Sequence, residues 1–356
     1  MIRPTTLRPV RVLFGTHGSF AQHDEGPRHP ESARRLQAIT LAAELAGLTE
    51  ALTAFAPRSA TSEELARVHD LSYVDALEEF CRAGGGHLDA DTSVVPASFE
   101  AAMRAAGSGP DAIERLRAGE ADAAFLALRP PGHHARPAQA MGFCLINNVA
   151  VAAASLVAAG ERVLVLDWDA HHGNGTQEMF YDEHEVLFIS MHQYPFYPGT
   201  GGLTETGSGE GEGQTINLPF PAGTKGDAYR LAFDEVVVPA AELFAPTWLV
   251  VSSGYDAHRA DPLTDLGLSA GDFADLTERA VHLVAPGRRL FFLEGGYDLD
   301  ALGQSAAATL GVLTGAGYRS ERATSGEAGG GGPTEAAQAA ALAAGQLHER
   351  LVRARS

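Results

Sequence analysis

Cysteine is nearly missing from these 356 residues: Cys81 and Cys144 are the only two. That excludes a disulfide framework, and free thiols with a reducing, cytoplasmic location are the expectation. No run of about 18 apolar residues occurs, so no membrane-spanning helix is expected. The opening MIRPTTLRPVRVLFG likewise lacks the apolar core of a signal peptide. Positive charge is scarce as well. Lys and Arg total 26 against 45 Asp and Glu, a net charge of -19, which argues against a general nucleic-acid or anionic-membrane surface. Lys225 is the sole lysine in a chain rich in Ala, Gly and Arg, a bias that reads as genomic base composition. Aromatics make up only 7%, yet 45% of residues are hydrophobic and 20% charged, the profile of a soluble globular protein with one large core.

Short aliphatic runs recur at Val10–Phe14, Ala123–Leu128, Arg162–Leu166, Val186–Met191, Trp248–Ser252 and Leu290–Leu293, separated by longer stretches of helical character. Such runs fit strands buried on both faces, and the alternation predicts an α/β fold with a largely parallel sheet covered by helices. Polar segments follow the runs: Arg129-Pro-Pro-Gly-His-His, Asp167-Trp-Asp-Ala-His-His-Gly-Asn-Gly, Ser253-Gly-Tyr-Asp-Ala-His and Glu294-Gly-Gly-Tyr. Ligands bind beyond the carboxyl ends of strands in open α/β sheets, so these segments are expected to converge on one crevice. No fixed-period repeat supports a solenoid.

If the chain stays extended past Leu166, Asp167, Asp169 and His171 share one face. Two carboxylates and an imidazole at alternate residues suit a divalent metal, with a distant ligand needed to close the set; Asp256 is the leading candidate. His133 and His134 follow Pro-Pro-Gly, which holds a loop rigid enough to present an acid and a base. Asp167 and Asn174 are available to orient them. Tyr297, behind two glycines, can donate a hydrogen bond into the crevice.

Taken together, Arg129-Pro-Pro-Gly-His-His, Gly142-Phe-Cys, Asp167-x-Asp-x-His-His-Gly, Gly254-Tyr-Asp and Glu294-Gly-Gly-Tyr resemble the zinc-dependent histone deacetylase superfamily, in its class II-like bacterial and acetylpolyamine amidohydrolase branch. The match runs from about His17 to Leu302. It implies a single-domain arginase-deacetylase fold over 1–320, followed by a Gly-rich linker, 321–335, and a helical tail, 336–356. It also implies Zn2+ on Asp169, His171 and Asp256, a site that iron(II) would suit too. His134 becomes the general base, His133 its electrostatic partner, Asp167 and Asn174 their orienting groups, and Tyr297 the oxyanion donor. Gly142, Phe143 and Tyr197 would line an acyl tunnel, Tyr197 standing where phenylalanine is commoner, with Asp91 as a rim acceptor. A structural potassium ion is implied near Asp167, Asp169, His171, Ser190 and Met191, and Arg35 along an inner exit route for acetate. Asn174 fits the class II-like and bacterial branch rather than the nuclear one, which has aspartate there.

The expected substrate is an acylated lysine in a peptide or protein, the alternative a small acylated amine such as an acetylpolyamine. Leu263 favours the first, since the polyamine-selective branch places an acid there that would attract a distal ammonium. A two-metal ureohydrolase needs more carboxylates than His172, Ala257 and His258 supply. A non-catalytic reader of acyl-lysine leaves the acid, base and oxyanion set without a purpose.

Overall fold

The computed structural model describes residues 10–326. Its strands are, in chain order, β1 (Val12–Gly15), β2 (Leu52–Phe55), β3 (Gly86–His87), β4 (Ser93–Val94), β5 (Ala123–Leu126), β6 (Val163–Asp167), β7 (Val186–Gln193), β8 (Thr215–Phe220), β9 (Trp248–Ser253) and β10 (Arg289–Leu293). Eight of them form one sheet in the order β2-β1-β5-β10-β9-β6-β7-β8, and every pairing in it is parallel. β3 and β4 make a separate antiparallel pair.

The aliphatic runs form these strands because each residue has a core to enter on either face. Along β6, Leu164 and Leu166 pack with Ile189, Val251 and Phe291 against the helices Arg34–Leu45, Ala270–Val281 and Leu299–Leu313. Val163 and Val165 point the other way, packing with Phe188, Val250 and Phe292 against the helices Ser98–Arg117 and Asn148–Val157. Two cores therefore share one sheet, and burial of each such side chain is worth about 1.5–3 kcal/mol. The expected strands all form, with ends shifted by a residue or two. The two sheet strands not expected, β2 and β8, are its edges. Only Phe55 of β2 is buried, and β8 carries Pro219, whose missing N–H an edge tolerates.

Four neighbouring central strands, β5, β10, β9 and β6, release their loops at the same edge of the sheet, which is where the polar segments meet. Side-chain caps fix where the adjoining helices start. Asn147 accepts from the Ala150 N–H, Asp298 from the Ala301 N–H, and Ser269 forms a capping box with Asp272. No helix among the described residues is long and apolar enough to cross a membrane. Of the expected linker, 321–326 lie along the start of the helix Ala270–Val281; its remainder and the tail 336–356 fall outside the described residues.

Candidate active site

β6 ends at Asp167, and the chain bends just beyond it, the Asp169 N–H donating to Asp167 Oδ1 at 3.1 Å. Asp167 and Asp169 both face the His133 ring, at 3.0 and 3.8 Å from its two nitrogens. Asp169, His171 and Asp256 come together, with ligand atoms all within 4.8 Å of one another. His171 Nδ1 lies 3.2 Å from Asp169 Oδ1 and 2.9 Å from Asp256 Oδ2. Backbone donors hold the carboxylates in place: Gly295 N–H to Asp169 Oδ2 at 2.7 Å, His171 N–H to Asp169 Oδ1 at 2.9 Å, and Ala170 N–H to Asp256 Oδ1 at 2.8 Å.

Two features fit this group to a divalent cation. Both acids are fully buried, and burial together with the Asp169 charge pushes Asp256 up to about 7, a repulsion that a bound cation removes. Glycines also close tightly on the oxygens. A Cβ at Gly254 would lie 2.0 Å from Asp169 Oδ2, and one at Gly295 2.3 Å from Asp256 Oδ2. Only hydrogen fits at either place.

The loop after β5 brings His133 and His134 over this group, their ring centroids 4.0 Å apart. His133 Nδ1 donates to Asp167 Oδ2 at 3.0 Å. Burial opposes its charge, but the Asp169 and Asp167 carboxylates outweigh that and raise it to about 10. His134 moves the other way: burial and the neighbouring His133 and His171 lower it well below the usual imidazole value. Its Nδ1 donates to Asn174 Oδ1 at 2.7 Å, so the tautomer leaves Nε2 as the basic nitrogen. Its ring lies 5.9 Å from that of His171. Opposite, burial and the Asp256 and Asp169 charges raise the Tyr297 hydroxyl well above its ordinary value despite Arg35 nearby, so it stays protonated as a donor.

Phe143 stands edge-on to Tyr297 at 5.7 Å, and Tyr197 edge-on to His134 at 5.3 Å, the two rings flanking the approach. Gly142, with φ of 56°, has no room for a side chain: a Cβ would sit 2.6 Å from His134 Cδ2 and 3.1 Å from the Tyr197 hydroxyl. Asp91 is exposed and tied to this wall through Thr92, whose hydroxyl donates to Asp91 Oδ1 and accepts from the Phe143 N–H, both at 3.1 Å. Leu263 is half-buried, its N–H donating to Asp261 Oδ1 at 3.0 Å. Ser190 pairs in register with Asp167, Met191 being next along β7.

Further groups support the residues expected to act. Glu294 Oε2 accepts from the N–H groups of Gly132 and His133, at 2.7 and 3.1 Å, and so shapes the histidine loop. Asp261 Oδ2 accepts from the Tyr297 N–H at 2.7 Å. Phe196 stacks on His171 at 5.4 Å. Arg35 donates to the carbonyls of Gly296 and Glu294, and both it and Arg129 hold the buried Glu31, which burial would raise but the two guanidinium groups lower to about 2. A carboxylate that binds a backbone N–H across two loops leaves no spacing for the sequence to reveal, although Glu294 and Arg129 both belong to the motifs that carry the family resemblance.

Fold and site together define an α/β enzyme whose chemistry is built on loops at the carboxyl ends of central parallel strands. Residues 29–313 match the family model described as the histone deacetylase domain. The chain is 40% identical over 290 residues to a probable deacetylase of Archaeoglobus fulgidus, covering 80% of each protein. It is 42% identical over 274 residues to a histone deacetylase-like amidohydrolase of Pseudomonas aeruginosa, covering 75% of this chain and 71% of that one. The crystal structure of the HDA15 HD domain superposes with a TM-score of 0.87 at 35% identity, over 96% of this chain and 95% of that one. The chain belongs to the histone deacetylase family.

Proposed function

We propose that the protein is a zinc-dependent deacylase that hydrolyses the amide of Nε-acetyl-lysine, or of a related acyl-lysine, in proteins or peptides. The observation that carries this reading is the convergence of Asp169, His171 and Asp256 beneath His134, a neutral base whose tautomer Asn174 sets. These three side chains would hold the ion, which supplies a Lewis acid for the acyl carbonyl; iron(II) suits the same oxygen and nitrogen donors. A structural potassium ion would be held by Asp167, Asp169, His171, Ser190 and Met191, a reading supported by the pairing of Ser190 with Asp167.

His134 Nε2 accepts the proton of the attacking water and returns it to the leaving amine. His133, bound to Asp167, is the charged neighbour that favours the anionic transition state. The Tyr297 hydroxyl donates to the developing oxyanion, and Asp261 holds the Tyr297 backbone where that donation is aimed. Phe143 and Tyr197 bound the acyl-lysine stem over Gly142, and Asp91 accepts a substrate N–H at the rim. Leu263 offers no carboxylate to a second ammonium, which supports acyl-lysine over an acylated polyamine.

The test is kcat/KM of zinc-loaded protein on an acetyl-lysine peptide and on N-acetylputrescine, measured side by side. Preference for the peptide is expected. Preference for the polyamine would assign the site to small acylated amines, and turnover of neither would overturn both readings.

A further inference from the structure

The loop after β9 has its corner at His258. Its N–H donates to the Tyr255 carbonyl at 3.2 Å and its carbonyl accepts from the Asp261 N–H at 2.8 Å, so two successive turns meet there. The first turn carries Asp256. The second delivers Asp261, which holds the backbone of Tyr297. The imidazole of His258 is only 5% exposed, and its orientation is set from both sides. The Ala260 N–H donates to Nδ1 at 3.1 Å, which leaves the proton on Nε2, and Nε2 donates to Glu321 Oε2 at 3.0 Å.

Glu321 lies beyond the residues matched by the family model, which end at 313. Its carboxylate also accepts from the side chain of Arg259 and, at 2.9 Å, from the Ala270 N–H at the start of the helix Ala270–Val281. The segment behind it is anchored. Ser269 Oγ donates to the Arg322 carbonyl at 2.8 Å, the Thr324 hydroxyl to Asp272 Oδ2 at 2.7 Å, and the Gly326 N–H to Asp227 Oδ2 at 3.0 Å. A Cβ at Gly271 would lie 2.5 Å from the Ala323 nitrogen, so the strap packs directly onto the helix.

We propose that Glu321 is a positioning residue for the active site: the strap 321–326 anchors the corner at His258 from which both the metal-ligating Asp256 and the Tyr297-holding Asp261 are presented. This rests on the role of Asp256 proposed above. An outer partner of a ligand-bearing loop typically carries about tenfold in activity or metal affinity, whereas a residue that touches no substrate leaves KM alone.

The test uses the full chain with Glu321→Ala, Glu321→Gln, His258→Ala, the double variant Glu321→Ala/His258→Ala, and Arg319→Ala. The last removes ion pairs with Asp275 and Glu278 on the same helix without touching the loop. Glu321→Ala is expected to lower kcat and zinc affinity, the latter read by chelator competition, each by about tenfold with KM little changed. Glu321→Gln, which keeps an oxygen for His258, recovers most of the loss; adding His258→Ala to Glu321→Ala costs nothing further; Arg319→Ala lowers only Tm. The proposal is overturned if Glu321→Ala lowers Tm as Arg319→Ala does while kcat and zinc affinity hold. Zinc affinity needs no substrate. A wild type that binds zinc and leaves acetyl-lysine untouched therefore contradicts the deacylase reading alone, and one that binds no zinc contradicts both.

Discussion

If His134 is the base proposed above, Asn174 decides what kind of base it is. Its amide oxygen accepts the Nδ1 proton and adds no charge, while burial and two neighbouring imidazoles keep His134 neutral. In Asn174→Asp a carboxylate would favour the imidazolium and raise the pKa of His134. A protonated base cannot accept a proton, so activity falls as pH drops through that pKa, and raising the pKa moves the acid limb of kcat/KM to higher pH. The check is a pH profile of the variant against wild type; a limb that stays put or moves to lower pH would exclude His134 as the titrating base. At this scale much was legible. Asp169, His171, Asp256, both histidines and Asn174 could be named from motif order, and the structure brings them together. The supporting roles of Glu294, Asp261 and Phe196 were not legible, because each acts across loops distant in sequence, through backbone N–H groups or a stacked ring.

The loops after β9 and β10 work as elements because Gly254 and Gly295 let backbone close onto carboxylate oxygens. Gly254→Ala puts a methyl group 2.0 Å from the present Asp169 Oδ2 position, and the carboxylate must rotate away. The strands β6 and β9, which lead to Asp169 and Gly254, are fully buried, so the sheet is expected to keep its structure in the variant. Zinc affinity by chelator competition should fall by at least about tenfold, with the far-ultraviolet circular dichroism unchanged; unchanged affinity would mean that Asp169 does not ligate. Central strands were readable as continuous aliphatic runs because both of their faces are buried. The edges β2 and β8 were not, since half-exposed residues and Pro219 erase that signal. The strap 321–326 read as linker from its Gly-rich continuation, though Glu321 and Thr324 hydrogen-bond to the body.

At the scale of the whole molecule, one parallel sheet covered on both faces gathers four loops at one edge, in a chain whose net charge of -19 is unsuited to a general nucleic-acid surface. The fold class was legible because α/β alternation is a long-range pattern that composition and periodicity preserve. On the function proposed above, the choice of acylated amine would fall to Asp91, Tyr197 and Leu263, whose roles come from the family resemblance and not from periodicity. The central claim is that these loops form a hydrolytic site in which Tyr297 stabilises the oxyanion. Its most direct test is kcat of zinc-loaded wild type and Tyr297→Phe on an acetyl-lysine peptide. Removing one oxyanion donor should lower kcat by about 10²–10³ while zinc content and Tm remain those of wild type. A Tyr297→Phe variant that turns over the peptide as fast as wild type would contradict the account.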